Sequence, residues 1–161
     1  MNSKENELAA LANSNAAFLD AARAFPTERR TLKPSERAFS ATEIVYHMLA
    51  VEKLWQSRLQ RLISGESREF IAMDPDKEAI DDSYNSKDFS EGLEDLLEAR
   101  RRSLELFRSL LDEQFELTGI HTKYGEMSIN RIMEIMTAHD LQHAKQLERT
   151  EQELLAMGAA S

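Results

Sequence analysis

The stretch SINRIMEIMTAHDLQHAKQL, residues 128–147, decides the fold class. Ile132, Met136, His139, His143 and Leu147 recur in steps of four and three. With 3.6 residues to a turn, that spacing marks one face of an α-helix. The helix is expected to begin near Ser128 and to end at Met157-Gly158. Two histidines lie in its inward stripe, one turn apart.

Three more segments follow the same pattern. The first runs from about Ser3 to Phe25, with Leu8, Leu11, Asn15, Phe18, Ala22 and Phe25 in line, and Pro26 stops it. Residues 26–39 form a connector. The second segment starts at Ser40, where Ser40 and Glu43 have capping-box spacing, so that each side chain can satisfy a free backbone N–H. Its inward face reads Ile44, His47, Met48, Val51, Leu54, Trp55, Leu59 and Leu62, and Gly65 is its C-terminal cap. The third runs from about Asp88 to Leu117, with Phe89, Leu93, Leu96, Arg100, Leu104, Phe107 and Leu111 aligned and Gly119 ending it. Residues 66–86 read as a long polar loop with room for a short helix, and Ile120 to Met127 as a short connector.

Four amphipathic segments predict an all-α fold, a four-helix bundle. A long connector separates the second and third main helices, and it is long enough to carry a crossover. With no repeat and no shift in composition, residues 1–161 are expected to form one domain.

The composition excludes several functions. The chain has 161 residues and a net charge of -9, so it is a poor ligand for a phosphate backbone, and no nucleic acid partner is expected. There is no cysteine, hence no disulfide framework, no thiolate metal site and no cysteine nucleophile. No run approaches the roughly 20 apolar residues that span a bilayer, and the start MNSKENELAA lacks the pattern of a signal peptide. A cytoplasmic protein with no membrane partner is expected.

Of four histidines, His47, His139 and His143 occupy inward stripes. A buried imidazole without a partner is costly. Three that converge can share a divalent ion, and three neutral imidazoles leave a coordination position open for water or substrate. Zinc or nickel suits such a set, and iron also accepts imidazole. The plainer reading of any one of them is a hydrogen-bonded core histidine. The site is not the His-Glu-x-x-His pattern of zinc proteases, since Asp140, Leu141 and Gln142 separate the pair.

Other residues carry two readings each. Asn15 could fix helix register or bond a ligand. Arg100 reads as an aliphatic stem with a snorkelling charge, or as an anion binder. Glu43 caps its helix or orients His47. Asp140 lies beside the metal-facing stripe as a possible acceptor for an imidazole. Gln146 could line a pocket or sit at the surface. His121 reads as an exposed loop residue that could close over the site. Trp55 and Tyr124 could wall a substrate pocket, while Met133 and Met136 read as packing.

The run FSATEIVYHMLAVEKLW, residues 39–55, and the run from Gly125 to Gln146 resemble the second and last conserved helices of the DinB-like (DinB/YfiT-like) superfamily, in order and in spacing. The resemblance implies a four-helix bundle with a divalent metal held by His47, His139 and His143, commonly in a homodimer. It implies a metal-dependent enzyme acting on a small-molecule substrate. That family includes transferases that use a low-molecular-weight thiol such as bacillithiol or mycothiol, a maleylpyruvate isomerase and proposed hydrolases, so S-transferase or hydrolase chemistry is expected. The alternative is a non-catalytic metal-binding module for stress response or interaction. Fold and metal together do not choose among these.

Overall fold

The structure, a computed structural model, describes residues 3–159. Helices α1 (Ser3–Ala24) and α2 (Ala41–Ser64) are followed by strand β1 (Glu69–Phe70) and helix α3 (Pro75–Asp81). Helix α4 (Phe89–Ser109), strands β2 (Thr118–His121) and β3 (Gly125–Ser128) and helix α5 (Ile129–Ala159) complete the chain. The four long helices α1, α2, α4 and α5 form a bundle, as the periodicity predicts.

The caps explain where the helices begin. Ser40 Oγ accepts the Glu43 amide at 3.1 Å and Glu43 Oε1 accepts the Ser40 amide at 3.0 Å, so the capping box is real. Gly65 ends α2 with φ 81°, a left-handed conformation that favours glycine. Asp74 caps α3 by accepting the amides of Asp76 and Lys77, which places the short helix in the long second connector.

The helix order round the bundle differs from simple expectation. Helix α1 packs on α5 and α4, and α2 packs on α4 and α5. The consecutive pairs α1/α2 and α4/α5 therefore sit across diagonals. The crossings are made by residues 25–40 and 110–128, whereas the long second connector joins the neighbours α2 and α4.

The third segment is shorter than its stripe suggests. Helix α4 stops at Ser109, and Leu110 and Leu111 turn extended, with ψ 142° and 153°. Leu110 is drawn into the core while Leu111 is 67% exposed. A short 3-10 turn, Asp112–Glu116, follows. Residues 118–128 are a hairpin rather than a plain connector, with Gly119 opposite Met127 and His121 opposite Gly125. Strand β1 joins it in parallel, pairing Phe70 with His121. Gly119 does not end a helix; it admits the Phe70 ring, which lies 2.1 Å from where a Cβ would stand. This three-stranded sheet is an addition to the all-helical expectation.

The core has two main clusters. One gathers Leu11, Trp55, Leu59, Phe70, Phe107 and Ile132 under the sheet. The other gathers Phe18, Phe25, Ile44, Leu96 and Leu147. Each buried side chain of this size contributes about 1.5–3 kcal/mol relative to exposure. Between the clusters lies the polar layer that holds the histidines. No helix among the described residues is long and apolar enough to cross a membrane.

Candidate metal centre

His47 stands in the second turn of α2, and His139 and His143 one turn apart on α5. His139 Nε2 lies 3.2 Å from His47 Nε2 and 2.9 Å from His143 Nε2. The three donor nitrogens fall within 4.8 Å of one another. The three sequence candidates therefore meet at one point. Among the described residues no carboxylate joins them.

Burial keeps the rings neutral. It lowers His47 to about 4, with help from His143. It lowers His139 to about 3, and the neighbouring His143, His47 and Arg100 add to the effect. Burial also lowers His143, opposed by its hydrogen bond to Gln146 and by Asp140. Gln146 Oε1 lies 2.5 Å from His143 Nδ1. The Nδ1–H donates to that oxygen, so the His143 lone pair is on Nε2 and faces the cluster. His47 Nδ1 is buried without a partner. Three ring nitrogens that converge with only one another within hydrogen-bond reach are a fitting donor set for a divalent cation.

A charged network fixes the helices at this level. Arg100 donates from Nε to Glu52 Oε1 at 2.6 Å, and from Nη1 and Nη2 to the two oxygens of Asp140 at 2.7 and 3.0 Å. Nη1 also reaches the Leu11 carbonyl at 2.9 Å, and Ser14 Oγ donates to Asp140 at 2.6 Å. Ser103 donates to Glu52, and Gln56 donates to Ser103. All four long helices are tied through one guanidinium. Arg100 is thus neither a snorkelling stem nor a free anion binder; it is 4% exposed and fully paired. Asp140 serves Arg100 rather than an imidazole. It lies on its own buried row with Met133, Met136, Ala144 and Leu147.

The remaining candidates separate clearly. Glu43 is used in its cap and lies 3.7 Å from Lys33. Asn15 is buried, with an amide nitrogen that finds no partner. Met133 and Met136 are core. Trp55, His121 and Tyr124, with His47 and His139, line a cavity of about 590 Å³. His121 is buried rather than exposed, because Phe70 pairs beside it and its Nδ1 accepts the amides of Lys123 and Tyr124 at 3.1 and 3.3 Å. The neutral ring therefore carries its proton on Nε2. A second cleft of about 470 Å³ meets the histidines from the side of Phe39 and Gln146.

Two residues escaped the sequence reading. Glu52 continues the buried series Met48, Glu52, Trp55, Leu59 in steps of four, three and four. Arg58 continues His47, Val51, Leu54 in the same way. A charged residue at a stripe position was the available signal for both.

The fold agrees with comparisons to known proteins. None of the curated protein sequences matches the chain. YfiT from Bacillus subtilis, described as a probable metal-dependent hydrolase with an unusual four-helix bundle topology, superimposes with a TM-score of 0.78. The match covers 92% of this chain and 89% of that one at 17% identity, a likeness of fold. The sequence model of the DinB superfamily matches residues 10–147, so the chain belongs to the DinB superfamily.

Proposed function

We propose that this protein is a metal-dependent enzyme that acts on a small molecule. His47, His139 and His143 hold a divalent ion, zinc or nickel, through their Nε2 atoms. The carrying observation is the convergence of three neutral imidazoles, one buried and two half-buried, whose ring nitrogens meet each other at one point. When bound, the ion supplies Lewis acidity that makes a nucleophile available at neutral pH.

The chain's own residues do the rest. Gln146 holds the His143 ring in the tautomer that leaves Nε2 free. The Glu52–Arg100–Asp140 network fixes the spacing of α2 and α5, and with it the distance between His47 and the other two rings. Val51, Leu54, Trp55 and Ile135 make the adjoining cavity wall apolar and exclude water from part of it. The chain has no cysteine, so a sulfur nucleophile would come from a low-molecular-weight thiol as co-substrate. Water in that role gives hydrolysis, and a thiol gives S-transfer. A cavity open beside the cluster favours either over a purely structural metal, which would have its coordination closed by protein.

Elemental analysis of untagged protein tests the metal. The wild type is expected to carry about one zinc or nickel ion per chain, and His143→Ala to lose it. Loaded protein is then assayed for ester hydrolysis and for thiol addition to an electrophile. No metal in the wild type after incubation with either ion overturns the reading.

A further inference from the structure

Arg58 lines the cavity, and the metal reading does not use it. It is 3% exposed, on the same face of α2 as His47, and its side chain lines the same cavity as His47 and His139. Its guanidinium carbon lies 4.7 Å from the centre of the Trp55 ring and 5.8 Å from that of Phe70. Nη2 donates to the Ile71 carbonyl. Nε is buried with no acceptor, and among the described residues no carboxylate pairs with the group. Such burial is expensive: it pushes the guanidinium below its ordinary pKa, and Arg61 adds to this. Buried arginines are ordinarily paired. Arg100, in the same protein, has two carboxylates.

The surrounding charge points the same way. Lys123 and Arg131 also line this cavity, against the single carboxylate of Glu126. Arg131 is paired with Glu134 at 2.8 Å and Glu126 lies 3.9 Å from Arg68, so among the described residues Arg58 and Lys123 are the wall cations without a carboxylate partner, within a chain of net charge -9. The rest of the wall is largely apolar, with Val51, Leu54, Trp55, Met127 and Ile135.

We propose that Arg58 anchors the substrate by a carboxylate. The ligand is an organic acid with an apolar body. Its carboxylate accepts from the terminal N–H groups of Arg58 on the cavity side, where the planar guanidinium suits two oxygens. The apolar body lies along Trp55 and its neighbours, and the reacting group faces His47 and His139. This names a substrate class for the site of the preceding section, and it rests on that reading for the chemistry but not for the binding.

The chain has one tryptophan, Trp55, directly beneath Arg58, so its fluorescence reports this site alone. The probes are 3-phenylpropionate and its neutral amide, 3-phenylpropanamide, titrated into protein with added zinc and after chelator treatment. The carboxylate is expected to bind about tenfold more tightly than the amide in both states, the ratio expected of a hydrogen bond to a charged group. Arg58→Met is expected to erase the preference while leaving amide binding in place, and Arg58→Lys to restore part of it. Arg58→Gln carries the same comparison where Arg58→Met does not yield folded protein. Equal binding of the two probes by wild type, binding of neither, or a preference that survives in Arg58→Met overturns the proposal. A preference that needs zinc and ignores Arg58 puts the carboxylate on the metal: the anchor falls and the metal reading stands. A preference that needs Arg58 in a protein that takes up no metal leaves the anchor and removes the metal.

Discussion

His139 borders two polar regions built on opposite terms. One is a narrow internal gap shared with Glu52, Arg100 and Asp140. The other is the broad cavity shared with Arg58. Both contain a buried arginine. Arg100 is satisfied by the protein, with carboxylates from α2 and α5 and a carbonyl from α1. Arg58 has one backbone carbonyl and two aromatic rings. The first arrangement is complete and acts on the fold. The second is incomplete and leaves hydrogen-bonding capacity facing a space that a ligand can fill. A buried charge is a structural element when its partners are built in, and a binding element when they are not.

The largest expected effect breaks the complete side. Arg100→Met strands Glu52 and Asp140 as buried carboxylates without a cation and is expected to destabilise the protein by about 3–5 kcal/mol. Urea denaturation of chelator-treated protein measures this. A loss below about 1 kcal/mol would show that the helices do not depend on the network.

The next tests the histidines between the two regions. His47 titrates at about 4 when folded, against 6.5 when free. The folded state therefore excludes a proton that the unfolded chain binds below pH 6.5. Stability is fully present above that pH and is lost as pH falls toward 4, by on the order of 3 kcal/mol from this ring. His139 adds to the same slope, since burial holds it at about 3. Glu52 opposes it, because burial raises its carboxyl, and the difference between wild type and His47→Gln isolates the imidazole. Urea midpoints at pH 7, 6 and 5 without metal are expected to fall in wild type and to fall less in the variant. Parallel curves would mean that His47 is not held neutral by the fold.

The smallest effect sharpens the contrast. Arg58→Met gives up a hydrogen bond and a cation–π contact but also removes an unpaired buried charge. The exposed Ile71 can take water at its carbonyl. A stability change within about 1 kcal/mol of wild type is expected. Calorimetric melting that shows a loss as large as that of Arg100→Met would make Arg58 a structural residue and erase the difference between the two regions.

Much of the candidate site could be read in advance because its signals are local. His47, His139 and His143 each fall on a helix stripe, and a stripe is set by residues three and four apart. The capping box at Ser40 and the cap at Gly65 are local in the same way. The pairing of Arg100 is not legible for the opposite reason. Its partners Glu52 and Asp140 lie 48 and 40 residues away in the chain, and a stripe shows that a side chain points inward without showing what it meets. His121 reads in sequence as an exposed loop residue because its burial depends on pairing with Phe70 and on a turn that folds two amides onto its ring.

The sequence by itself determined four amphipathic helices, the caps of α2, and three histidines facing a common interior. These follow from helix period, side-chain chemistry and the geometry of helix ends. Only the tertiary structure decided which helices are neighbours, that α4 stops at Ser109 without a glycine or proline, and that a hairpin with a parallel third strand covers one cluster of the core. It alone decided that Arg100 is paired and Arg58 is not. Backbone preferences act over a few residues. Burial and charge compensation act between segments brought together by the whole fold.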